Sequence, residues 1–267
     1  MKLPLPNKTL EDFQSIAEQT STVNKSCSNY HFQFLAHCYF LSSGLWLWCR
    51  WVFRRLFSLK ASNVSQERTG LAQRFHRYLD LLQNWGIIEL EFVGFEDVSS
   101  WQGCVIAPNH PSILDVMFLM TRIPNFDCVM NTKLLRNPIT SGGALLCNFI
   151  QNDSLHRMVK TCKLFLSTGA NILIFPEGTR TTHPPLGPFH HSYALAAKCS
   201  GAPIRTIIIE CDSDYFGHRF SYFKPAHCPI RFRISSGRIF YTTPSTCTRS
   251  LSSEIEGYFR DLLSEKK

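Results

Sequence analysis

The chain has 267 residues, 44% hydrophobic and 18% charged, with a formal net charge of +8 and a pI near 9.0. That length suits one α/β domain with a sizeable core plus a short extra element, and the balance fits neither a disordered chain nor a polytopic membrane protein. The positive charge favours a polyanionic neighbour. Because no Lys/Arg cluster interleaved with stacking aromatics stands out in the globular part, a lipid surface is expected and nucleic acid is not.

In chain order, residues 1–30 read as a polar N-terminal segment with a short helix around Leu10 to Gln19, and Met1 to Lys25 lacks the pattern of a cleaved signal peptide. Residues 31–60 read as a membrane-associating hydrophobic helix with a basic flank: Phe32 to Trp48 is apolar, interrupted by Gln33 and His37, and is followed by Arg50, Arg54, Arg55 and Lys60. The apolar stretch is of marginal length for crossing a bilayer, so spanning and lying on the membrane both stay open. A core helix is the plain alternative. Trp46, Trp48 and Trp51 beside arginines form an interfacial belt that favours the membrane, with Arg50 onward on the cytoplasmic side.

Residues 61–267 read as the globular domain. Gln66 to Trp85 has helical spacing, and Ile87 to Val93 alternates like a strand. Cys104 to Ala107 is a buried strand and Phe126 to Met130 another; helices are expected from Ser112 on, near Gly142 to Phe149, and over Ser154 to Ser167. After a strand at Asn171 to Phe175 come a Pro-rich loop, a helix over Ser192 to Cys199 and a strand at Pro203 to Glu210. Short strands follow at Ile230 to Ile234 and Arg238 to Tyr241, then a final helix over Ser252 to Leu263. Strands alternating with helices predict an α/β fold, a single domain whose largely parallel mixed sheet is flanked by helices. The 11 Cys are odd in number and contain no CxxC pair, which predicts reduced thiols in the core rather than disulfides or a zinc knuckle. His183, His190 and His191 have no Asp, Glu or Cys at metal-ligand spacing, so no metal is expected.

Two strand ends carry the chemistry. In CVIAPNHPSILDVMF, His110 follows a strand and Asp115 falls in the first turn of the next helix. A carboxylate there can hold one imidazole nitrogen and leave the other free as a base. A lone His-x4-Asp pair is a weak signal, and Ser112 stands nearby as an alternative nucleophile. The second stretch, NILIFPEGTR, again runs a strand into a loop, here with Glu177, Gly178, Thr179 and Arg180. A structural Glu–Arg pair bracing that loop is its plainest alternative role.

Together the two motifs resemble the glycerol-3-phosphate/lysophosphatidic acid acyltransferase (PlsC-like) family: Asn109-His110 with Asp115 matches NHxxxxD, and Phe175 to Arg180 matches FPEGTR. The resemblance implies direct transfer of an acyl group from acyl-ACP or acyl-CoA to a lipid hydroxyl, with His110 as base, Asp115 as its orienting partner and no covalent acyl-enzyme. It implies acceptor binding by Asn109, Glu177, Gly178, Thr179 and Arg180, an acyl thioester as co-substrate with no cofactor, and a place on the cytoplasmic face of the inner membrane. Two cationic positions of the phospholipid-type members differ here: Asn152 stands where an Arg is usual, and His190 and His191 stand where Lys-Lys is common. That departure, with Ile150 to Asp153 and FPEGTRTT, resembles a branch associated with bacterial aryl polyene lipids, so a non-phospholipid acceptor is the alternative, as is a lipid-binding protein without turnover.

Overall fold

Short apolar runs between helical stretches fold as expected into alternating strands and helices. The computed structural model describes residues 30–57, 63–123, 126–218 and 227–264; the helix expected around Leu10 to Gln19 lies outside them. In order, the elements are α1 Tyr30–Leu56, α2 Val64–Asn84, β1 Ile88–Val93, β2 Val105–Pro108, α3 Asp115–Arg122, β3 Phe126–Met130, α4 Pro138–Leu146, β4 Ile150–Gln151, α5 Leu155–Ser167, β5 Asn171–Leu173, α6 Ser192–Ser200, β6 Ile204–Cys211, β7 Ile230–Phe240 and α7 Thr248–Ser264.

The strands form one seven-stranded sheet in the order β1-β7-β6-β2-β5-β3-β4. Every neighbouring pair is parallel except β6 and β7. Period-two alternation splits the buried residues between two faces. Ile106, Leu173, Ile207 and Phe232 pack with α1 to α4, while Val105, Ala107, Ile172 and Ile204 pack with α5 to α7. The result is three layers, helices–sheet–helices.

Two expectations change. The last two strands are one, β7, continuous through Ser235-Ser236-Gly237, where small residues hid the strand pattern; Gly237 is needed because a Cβ there would lie 2.5 Å from Ile208 Cδ1 and Thr206 Oγ1. Helix α4 starts earlier than expected, at Pro138, because Asn137 caps it by accepting from Ile139 N at 2.9 Å and proline suits a first turn. Helix α1 packs against the domain. It lies along α4 so closely that a Cβ on Gly44 would sit 2.3 Å from the Ile139 carbonyl oxygen, and one on Gly142 2.3 Å from the Trp48 backbone nitrogen. Glycines at both crossing points let the backbones touch. Among the described residues no helix is long and apolar enough to cross a membrane.

Candidate active site

Sheet order explains why two motifs far apart in sequence meet. Strands β2 and β5 are neighbours, Val105 opposite Ile172 and Ile106 opposite Leu173, so their carboxyl-end loops lie side by side. From β2 the chain crosses toward β3 on one side, and from β5 toward β6 on the other. This reversal is the crevice in which open α/β sheets place their ligands.

Within that crevice His110 Nδ1 lies 2.7 Å from Asp115 Oδ2. Asp115 is fully buried, whereas the His110 side chain keeps 16% of its surface exposed. Ser112 N also donates to Asp115 Oδ2, at 2.9 Å. Burial pushes the Asp115 carboxyl above its ordinary range, against the opposite pull of His110 and of the Ser112 N–H. Its Oδ1 has no hydrogen-bond partner among the described residues, which leaves the carboxylate a strong acceptor for the Nδ1 proton. With that proton on Nδ1, Nε2 presents a lone pair. The imidazole stacks on Phe175, centroids 3.8 Å apart and planes at 18°, which fixes its tilt.

The expected substrate-binding residues divide into two groups. Asn109 is buried and spent on the fold: its Nδ2 donates to Ile209 O at 2.8 Å and its Oδ1 accepts from Ile209 N at 2.7 Å. Glu177 is also buried, and it ties its own loop, between β5 and α6, to the loop after β2. Its Oε1 accepts from His110 N (2.9 Å) and Thr181 Oγ1 (2.9 Å), and its Oε2 from Gly187 N (2.8 Å). The polar atoms of both side chains are thus engaged within the fold, by backbone groups and by the Thr181 hydroxyl. The bracing role thus belongs to Glu177 with backbone partners rather than to a Glu–Arg pair. Gly178 and Thr179 are exposed, and Gly178 takes φ +67°, a turn that other residues enter with strain. Arg180 is half-buried and donates from Nη1 to Gly217 O at 2.6 Å.

Ser112 is corrected as a candidate nucleophile. It is buried, and its Oγ accepts from Leu114 N at 3.0 Å, turning the chain into α3, which starts at Asp115 rather than at Ser112. Cys211, close enough to feel the Asp115 charge, is pushed up to about 12 by burial and stays a neutral thiol. The buried Cys128, Cys147 and Cys162 are likewise pushed up to about 12. Among the described residues no three His, Cys, Asp or Glu side chains are grouped to hold a metal ion.

Sequence reasoning gave no role to Phe175, to Thr181, whose N donates to His110 O at 2.8 Å, or to Phe216, whose O accepts from Ile113 N at 2.9 Å. Phe175 and Thr181 flank or belong to the motif and could have been suspected. Phe216 carries no sequence signal.

An open, doubly wound α/β fold with a His–Asp pair at its switch point defines the class. Residues 89–210 match the protein-family model described as Acyltransferase. The chain is 28% identical over 153 residues to a chloroplastic 1-acyl-sn-glycerol-3-phosphate acyltransferase of Brassica napus (51% of this chain, 43% of that protein). It is 28% identical over 148 residues to the 1-acyl-sn-glycerol-3-phosphate acyltransferase of Pseudomonas aeruginosa (49% and 57%). The chain thus spans about half the length of the curated relatives it matches. The crystal structure of the 1-acyl-sn-glycerophosphate acyltransferase PlsC of Thermotoga maritima shares the fold, with TM-score 0.63 and 16% identity over 88% of this chain and 97% of that one.

Proposed function

We propose that this protein is a membrane-associated O-acyltransferase that moves a fatty acyl group from acyl-CoA or acyl-ACP to the hydroxyl of a lysophospholipid. The observation that carries the reading is the 2.7 Å contact between exposed-edged His110 and fully buried Asp115, at a site where Ser112 Oγ is already committed to the backbone. The names of the matched relatives support the same substrate class.

His110 Nε2 takes the acceptor's hydroxyl proton as the hydroxyl oxygen bonds to the thioester carbonyl carbon. The tetrahedral intermediate collapses, the C–S bond breaks, and the imidazolium returns its proton to the leaving thiolate. Asp115 keeps the imidazole in one tautomer and steadies its positive charge. Gly178, Thr179 and Arg180 meet the acceptor at the crevice mouth, with Arg180 directed at its phosphate.

Association with a lipid surface, on the cytoplasmic face of the inner membrane, rests on α1. Its exposed positions from Phe32 to Cys49 include Phe34, Leu35, Tyr39, Leu45 and Trp46 and carry no charged side chain. With the opposite flank packed on α4, the helix lies in the interface rather than through it.

The test is acyl transfer by the full chain in vesicles, with labelled acyl-CoA and acyl-ACP offered against lysophosphatidic acid. His110→Ala is expected to lower the rate by about 100-fold or more; undiminished transfer would sink the mechanism. A second reading, a non-phosphorylated acceptor such as an aryl polyene lipid, draws on exposed Asn152, His190 and His191 where cations are usual. It predicts His110-dependent product from a total lipid extract and none from lysophosphatidic acid.

A further inference from the structure

Away from the crevice, α1, α2 and α4 enclose a cavity of about 290 Å³. Arg50, Glu67, Gly70, Arg74, Arg77 and Gly143 line it. Its charge does not balance. Glu67, buried, is shared between two guanidiniums, Arg50 Nη1 and Nη2 at 2.9 and 2.8 Å and Arg54 Nη1 at 2.7 Å. Arg74 lies over the Trp46 ring at 4.2 Å from its centroid, and no acidic partner of Arg74 or Arg77 occurs among the described residues. Arg68, next along α2, is already matched by Asp127.

Trp46 belongs to the uncharged, exposed side of α1, so Arg74 and Arg50, 5.8 Å from the same ring, stand where that apolar side gives way to the cavity. The cavity is remote from His110. Arg68 reaches Asp127 and Cys147 O, and Asp127 is level with Ile172 and hence with Val105. From Val105 the strand runs on to Pro108, about 10 Å, before the chain reaches His110. Gly70 opens the wall: a Cβ there would meet nothing within 4 Å.

We propose that this cavity binds the phosphate of an anionic phospholipid headgroup, a lipid held by the enzyme and distinct from its substrate. The acyl chains lie along the apolar side of α1 while the phosphate enters between Arg74, Arg77 and Arg50, where guanidinium forks suit phosphate oxygens. The site rests on the proposed lipid-surface reading of α1 and not on the acyltransferase activity.

The experiment is flotation of the full chain with vesicles of phosphatidylcholine alone and of phosphatidylcholine with phosphatidylglycerol. Binding to neutral vesicles tests the α1 reading; the increment on adding phosphatidylglycerol tests the cavity. The double variant R74Q/R77Q is expected to lower that increment about tenfold or more. Gly70→Leu, which fills the cavity and keeps every arginine, is expected to lower it comparably. Control K160Q/K163Q, on exposed α5 across the sheet, is expected to leave it unchanged. Unchanged melting temperatures confirm that the variants are folded. An increment kept by Gly70→Leu, or lost equally in the control, would mean a diffuse electrostatic field and overturn the site. Competition by millimolar glycerol phosphate would overturn the lipid assignment in favour of a soluble phosphate ester.

Discussion

At the scale of single residues, the site is a histidine held from every side. Asp115 fixes Nδ1, Phe175 fixes the ring plane, and Glu177 and Thr181 fix the backbone on either side of the Cα. Replacing Asp115 by Asn keeps an oxygen for Ser112 N and the imidazole Nδ1 but removes the negative charge that would steady an imidazolium. Asp115→Asn is therefore expected to lower kcat by about 10²- to 10⁴-fold with little change in KM, measured by steady-state transfer. For Glu177→Gln, one amide oxygen can still serve two of the three donors, but the NH2 faces a remaining N–H. An unmet buried donor costs about 1–3 kcal/mol. At this chain length each kcal/mol is worth about 2–4 °C, so a calorimetric melt is expected to fall by several degrees while kcat drops through the displaced His110 backbone. An unchanged melt would remove Glu177 from its bracing role.

At the scale of elements, the α1–α4 contact is the tightest helix crossing. Gly142→Ala forces a methyl group into the Trp48 backbone, and the crossing must open. The expected cost is about 1–3 kcal/mol, read as a lower denaturant midpoint. The sequence announces some of this and conceals the rest, for physical reasons. His110 and Asp115 were legible because a strand end and a helix start bring them together locally. Strands β2 and β5 were legible as short apolar runs, but their adjacency was not, since pairing depends on crossovers that composition does not encode. Asn109 and Glu177 looked like substrate ligands because their partners are mostly backbone groups, those of Ile209, His110 and Gly187. Every residue has such groups, so no pattern of letters marks them. The continuity of β7 was hidden by its serines and glycine, and the packing of α1 by an apolar side that reads alike for lipid and for protein.

At the scale of the molecule, α1 has two unlike sides. One supplies Ala36 and Leu47 to the core, and the other leaves Phe34, Leu35, Trp46 and Phe53 uncovered without charge from Phe32 to Cys49. Adding charge there should release the protein from lipid without unfolding it. The double variant Leu35→Glu, Trp46→Glu is expected to shift the protein from the vesicle to the supernatant fraction at an unchanged melting temperature. Retention on neutral vesicles would show that another surface makes the contact.

The turn from Asp214 to Gly217 joins these scales. His37 on α1 lies 3.4 Å from Tyr215 Oη, Phe216 O receives the Ile113 N–H at the entry to the catalytic helix, and Gly217 O receives Arg180. Four consecutive residues thus join α1, the loop that carries His110, and Arg180. On the lipid-surface role proposed for α1, a tilt of that helix is expected to strain this turn, and with it Arg180 and the His110 loop together.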